Sequence, residues 1–258
     1  LGLNSLVSEY VALITDDKMK SFRTKVRDFL EGITDHIEDI EFPKAEMRKI
    51  RRDYKLLGDE TADFLFDILS RFDIRPDQMK NIISDGRENV SITASISEMM
   101  EDPYIIFEQY IGYDADDSIA FYKIDNGIIP SPEYGIEEIL DVGATERLRA
   151  FCVDELNRIA AHSFGKAEVI LQAVNARIDR LPDWKRHLFV MRNFDIDEDI
   201  LDAALVRKKD DKGILYLYLK ETYEDERTVE DALRNLANRP DIQLKMAITR
   251  DKFKQSLR

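Results

Sequence analysis

The stretch "ALVRKKDDKGILYLYLK" holds the chain's strongest hairpin pattern. Two short runs rich in strand formers flank Asp210, Asp211, Lys212 and Gly213, and a glycine at that place is free to take positive φ. Almost everything else carries helical spacing, so the core has to be built mainly from packed helices, with a small sheet at one place. Upstream of the hairpin, "ATERLRAFCVDELNRIAAHS", "KAEVILQAVNARID" and "DIDEDILDAALV" read as three helices. Three helices and a two-stranded hairpin are the parts of a winged-helix-like module, expected over residues 144–221. In its third helix, Asp195 to Val206, the residues Ile196, Ile200, Leu201, Ala204 and Leu205 are expected to face inward. Its acids at 195, 197, 198, 199 and 202 would repel phosphate, so this helix is expected to pack on protein rather than on a DNA groove.

The remaining boundaries follow from changes in periodicity. Residues 1–57 form a helical N-terminal segment, in which Met19, Phe22, Val26, Phe29, Leu30 and Ile33 recur at threes and fours. Residues 58–112 read as a bundle of short helices, with Asp59 and Asp73 as caps and Pro76 in a first turn. From 113 to 143 the periodicity fails and Gly, Pro and Asp gather, the signature of an acidic irregular connector. "TYEDERTVEDALRNLANRP" then reads as one charged helix stopped by Pro240 with a tail after it, residues 222–258. The fold class expected is mainly α.

Charge qualifies the function classes. The chain carries a net charge of −14, which argues against a general nucleic-acid binder. Between Asp85 and Gly143 there are 14 acidic residues and two basic ones, so the acidity is regional and residues 85–143 could meet a basic protein partner. Against that background "KAEMRKIRRDYK" has net charge +4, and Lys44, Arg48, Arg51, Arg52 and Lys55 follow at threes and fours. On a helix they make one stripe that could track a phosphate backbone without reading bases; the alternative is a solvated face paired with the acids at 98 to 117.

Chemical motifs are scarce. "HSFGKAEV" lacks the first glycine and the hydroxyl of a phosphate-cradling loop and reads as a helix-to-helix turn. Cys152 stands alone at an apolar spacing, which points to a buried thiol and a reducing, cytoplasmic setting. His36, His162 and His187 are in no zinc-ligand spacing, and Ser163 beside His162 has no nucleophile elbow. Asp114, Asp116 and Asp117 lack the spacing and glycine of a calcium loop. Trp184 reads as a core or interface anchor. With those motifs missing, neither a metal nor a catalytic residue is expected, and no apolar run is long enough to span a bilayer, so no membrane partner is expected either.

In their order, three stretches resemble the region preceding the motor domains of RecD-like superfamily I DNA helicases and exonuclease V alpha-type ATPases. "LFDILSRFDIRPDQMKNII" has the spacing of a helix-hairpin-helix, and "SISEMMEDPYIIFEQY" is similar to the family's next helix with its turn at Asp102, Pro103 and Tyr104. "GILYLYLKETYEDERTVEDALRNLA" resembles the wing strand running into a helix marked by Tyr223, Glu226, Val229, Leu233 and Leu236. The resemblance would make residues 222–258 a bridging helix and tail. It implies a non-catalytic accessory region that docks on its own C-terminal motor domain and helps guide DNA, with ATP and Mg²⁺ belonging to that motor and no cofactor here. "DIRPDQ" departs from the family's glycine-containing hairpin, since Pro76 has no N–H to offer a phosphate. The competing reading is an α-helical protein-interaction adaptor without a nucleic-acid role. A nuclease built on the scattered carboxylates is a distant third.

Overall fold

The computed structural model describes residues 16–37, 43–113, 117–159 and 164–238, with side chains from residue 24 onward. Met19, Phe22, Asp114, Asp116, His162, Ser163, Pro240 and the tail beyond it therefore lie outside the described side chains. The protein is mainly helical with a small three-stranded antiparallel sheet. Contacts divide the chain into two units, residues 1–220 and 221–258.

The described part of the first unit begins with α1 (Asp16–Glu31) and α2 (Lys44–Leu57). Val26, Phe29 and Leu30 recur on one face of α1, and with Ile37 and Phe66 they make a satellite core against which Met47, Ile50 and Tyr54 of α2 pack. Phe66 belongs to the next helical run, α3 (Asp59–Asp63), which continues as a wider π turn over Phe64–Ile68 and a tight turn over Leu69–Arg71. The segment boundary read at residue 57 thus falls inside one packed unit, and Arg27 spans it by bonding Asp63. Asp59 stands at the first helical position after Gly58 rather than at the cap.

After a short turn comes α4 (Pro76–Ile83), capped at Arg75, whose N–H donates to Gln78 Oε1 at 3.0 Å; Asp73 lies too early to cap it. Next are α5 (Ile96–Glu101) and α6 (Tyr104–Gln109). Ser95 and Glu98 form a reciprocal capping box at the start of α5, with N–H to side-chain oxygen distances of 2.7 and 3.2 Å. Between α5 and α6, the Asp102 carboxylate accepts from the Tyr104 N–H at 3.2 Å.

The connector read at 113–143 contains a core helix, α7 (Phe121–Ile128). Phe121 packs among Tyr104, Phe107 and Phe151 with ring centroids 5.9, 5.7 and 4.3 Å away. Ile119, Ile124, Ile128 and Ile129 are buried beside it. Gly127 sits inside this helix because a Cβ there would lie 2.4 Å from the Phe72 ring and 2.7 Å from the Arg71 carbonyl.

Then follow α8 (Thr145–Arg158), β1 (Phe164–Lys166) and α9 (Ala167–Ile178). Cys152 is fully buried in α8. The expected third helix is a single turn, α10 (Glu198–Leu201), entered through Asp197 in the left-handed region at φ 48°. Leu201 and Leu205 are buried as expected, whereas Ile196 is 44 % exposed. The helix cannot run to Val206 because Leu205 is already paired to Leu219: β2 (Leu205–Lys209) and β3 (Leu215–Leu219) form the expected hairpin. Its turn holds Gly213 at φ 76°, and the Asp210 carboxylate accepts from Lys212 and Ile214 N–H at 2.9 and 2.8 Å. The sheet order is β1-β3-β2, so the residues read as a helix-to-helix turn supply the third strand.

The second unit is described by α11, which runs over Lys220–Ala237. Glu230 pairs with Arg227 at 2.8 Å and Arg234 at 2.5 Å, supports that suit an exposed helix. Val229, Leu233 and Leu236 are exposed at one helical spacing. Among the described residues, no helix is long and apolar enough to cross a membrane.

Candidate nucleic-acid interface

The basic stripe lies on α2, and the structure divides its members by duty. Arg51 stands where the stripe meets the apolar face of Met47, Ile50 and Tyr54. Its guanidinium reaches back to the end of α1, donating to the Phe29 carbonyl at 2.8 Å, to Asp35 Oδ1 at 3.0 Å and to the Thr34 carbonyl. The same group lies 5.0 Å from the Phe29 ring centroid. Arg51 is a clamp between two helices, with few donors left for a phosphate. Arg52 is exposed and touches its neighbour Asp53 at 3.2 Å. Lys44, Arg48, Lys49 and Lys55 are exposed and have no ion-pair partner among the described residues. The usable stripe is therefore Lys44, Arg48, Arg52 and Lys55.

The alternative pairing with acids 98 to 117 is not seen among the described residues, because the inner acids of that region serve other cations. Arg149, buried in α8, donates to Glu108 at 2.9 and 3.1 Å, to Asp102 and to the Ile200 carbonyl at 3.0 Å. Burial pushes the Glu108 carboxyl up to about 7 against the pull of Arg149. For Arg149, burial opposes the charge, but Glu108 and Asp102 outweigh it and hold the guanidinium protonated.

A second buried cluster joins α7, α8 and the turn at Asp183–Lys185. Arg147 Nε donates to Asp125 Oδ1 at 2.9 Å, the Tyr104 hydroxyl donates to the same oxygen at 2.7 Å, and Lys185 Nζ donates to Asp125 Oδ2 at 2.7 Å. Arg147 also donates to the carbonyls of Val142 and Lys185 at 2.9 and 3.0 Å. Burial alone would raise the Asp125 carboxyl, but Arg147 and Lys185 outweigh it and hold it below the usual range. Burial lowers the Lys185 ammonium, with Asp125 opposing. Every buried side-chain polar atom among the described residues has a partner, so neither cluster offers a vacant donor or acceptor to a substrate.

The turn before α4 also holds a carboxylate of the chain. Asp117 accepts from Arg75, from Gln78 Nε2 at 3.1 Å and from the Tyr110 hydroxyl at 3.1 Å. A carboxylate of the chain itself thus sits beside the first turn of α4, where it would repel phosphate. Among the described residues no group of His, Cys, Asp and Glu is placed to hold a metal. Trp184 is 42 % exposed rather than a core anchor, while its neighbour Lys185 is the buried one.

The two buried clusters are the feature that reading the sequence missed. Arg147 and Arg149 flank Leu148 about 200° apart around the helix, and both are buried because α8 is covered on several faces, with every residue from Arg147 to Val153 buried. The available signal was the crowding of Leu148, Ala150, Phe151 and Cys152 around them in the sequence. Compared with family models, with curated proteins and with solved structures, the chain finds no match in any of the three.

Proposed function

We propose that this chain is the non-catalytic accessory region of a RecD-like, ATP-driven DNA helicase, guiding DNA along α2 and docking on a motor domain through α11. The order helix, strand, helix, short helix, strand, strand, with sheet order β1-β3-β2, supports the winged-helix-like reading of residues 144–221. The two helical runs on either side of residues 72–75 support a helix-hairpin-helix-like arrangement whose hairpin has turned to protein packing. ATP and Mg²⁺ belong to the motor in this reading, and this chain positions rather than reacts.

The observation that carries the DNA role is the row Lys44, Arg48, Arg52 and Lys55, exposed on one helix of a chain with net charge −14. Exposed cations not held by buried partners are the groups able to exchange counterions for phosphates. The test is binding of a labelled duplex followed by anisotropy across a salt series. Replacing all four by Ala should weaken binding to every sequence alike and flatten the log–log salt slope by about 0.9 for each phosphate no longer neutralised. Unchanged affinity and slope in a folded variant would remove α2 from the DNA path.

The adaptor reading is favoured by one observation, the exposed row Val229, Leu233 and Leu236 on α11, which suits a protein surface whether or not DNA is involved. A variant series without effect on DNA, together with a partner captured through that row, would favour it.

A further inference from the structure

The sheet presents a second cationic surface of different chemistry. Leu217 at the centre of β3 is fully buried, so its neighbours Tyr216 and Tyr218 point to the opposite, outward face. The register sets Phe164 opposite Tyr218 and Lys166 opposite Tyr216 on one side, with Val206 and Lys208 opposite the same two tyrosines on the other. The Phe164 ring stacks on Tyr218 with centroids 4.9 Å apart and meets Tyr216 edge-on at 5.7 Å. Phe164 is 41 % exposed, the tyrosines are half-buried, and both lysines are exposed. These six positions hold three aromatic rings, two lysines and no carboxylate, in a chain whose acids outnumber its Lys and Arg by 52 to 38.

Cross-strand ring pairs stabilise a sheet, but stability alone requires neither an exposed ring nor lysines on both flanks of Tyr216. An acidic ligand with flat apolar faces fits both features. Duplex DNA supplies the phosphates but hides its base faces in the stack, whereas a single strand exposes both. We propose that this outer face binds single-stranded DNA, with bases stacking on Phe164 and Tyr216 and the phosphates passing Lys166 and Lys208. The inference rests on the DNA-handling reading above and deepens it: α2 takes backbone charge and the sheet takes unpaired bases.

The test uses the whole chain and a fluorescein-labelled oligothymidylate of about 12 nucleotides beside a duplex of the same length. Phe164→Leu and Tyr216→Leu keep an apolar side chain on the sheet while removing the stacking surface. Each should weaken single-strand binding by about tenfold and leave duplex binding unchanged. Lys166→Ala with Lys208→Ala should lower the single-strand salt slope by about 0.7 per phosphate released. Should the leucine variants fail to fold, an iododeoxyuridine-substituted strand irradiated on the unaltered protein gives an independent answer, with crosslinks expected in the peptides containing Phe164 or Tyr216. Crosslinks elsewhere, or single-strand affinity untouched by the leucine variants, would overturn the proposal. Duplex binding that disappears with the α2 cations while the sheet variants change nothing would defeat this inference alone. Single-strand binding through the sheet with an inert α2 would defeat only the α2 assignment. A protein that binds neither DNA form defeats both and leaves the face to a protein occupant.

Discussion

Lys185 Nζ lies 2.7 Å from Asp125 Oδ2 although the two residues are 60 apart in the chain. The contact ties the turn after α9 to the inside of α7, and Arg147 from α8 completes the junction by bonding the other oxygen of Asp125. The carboxylate is therefore the one negative centre between two buried cations.

The members of that trio should not be equivalent. Asp125→Asn leaves Arg147 and Lys185 as facing positive charges without a counterion, and should cost about 3–5 kcal/mol of unfolding free energy. Lys185→Met leaves the Asp125–Arg147 pair and the Tyr104 hydrogen bond in place, and should cost distinctly less. Urea unfolding of both variants measures the order, and equal losses would show that Asp125 is not the hub.

Glu108 should make stability depend on pH near neutrality. Its folded pKa is raised to about 7 from an ordinary 4.5, chiefly by burial. The folded state therefore holds a proton that the unfolded state releases. The contribution is complete below the ordinary value and is lost as pH rises through about 7. The thermal midpoint should fall between acidic and mildly alkaline buffer, and Glu108→Gln should flatten that fall. A slope that survives the substitution would assign the effect to another group.

Arg51 and Arg48 should separate stability from DNA affinity. Arg51→Ala removes the hydrogen bond from α2 to the Phe29 carbonyl of α1, two more to Thr34 and Asp35 just beyond α1, and the contact with the Phe29 ring, and should cost about 1–3 kcal/mol with the exposed row Lys44, Arg48, Arg52 and Lys55 intact. Arg48→Ala should leave the unfolding free energy within about 0.5 kcal/mol of the parent while reducing duplex affinity. Parallel calorimetry and anisotropy distinguish the two, and a reversal of roles would mean that α2 binds DNA through its clamp side.

Cys152 should be chemically silent until the protein opens. It is fully buried, and burial, reinforced by Glu155, pushes its thiol well above the ordinary range. Labelling by a thiol reagent should thus follow the opening of α8 and accelerate with urea in step with unfolding. Rapid labelling in native buffer would place this helix in a locally opening region.

What could be read in advance depended on how local its cause was. The hairpin was legible because its turn chemistry lies within a few residues, at Asp210 and Gly213. β1 was not, because three residues with a central glycine carry no alternation, and their partner strand comes some 50 residues later. The core helix at Phe121–Ile128 was hidden by "DNG", which reads as a turn until Phe72 is known to press on Gly127. In the third helix the reverse happened: a clean helical period yielded to sheet pairing at Leu205. The stripe on α2 was visible as a pattern, but only the packing of Arg51 on Phe29 shows that one of its five members is spent on the fold.

The pressing of Phe72 on Gly127 has a consequence for ancestry. A chain that inherits this junction has to keep an acid two residues before a side-chain-free position in one helix. It also has to keep an arginine on α8 and a lysine on the turn after α9 that reach the same acid. Such a set is sparse, spread across three elements, and most costly to change at its acid. It can persist after the exposed faces of two descendants have drifted past recognition, because burial and charge hold it in place and the surface does not.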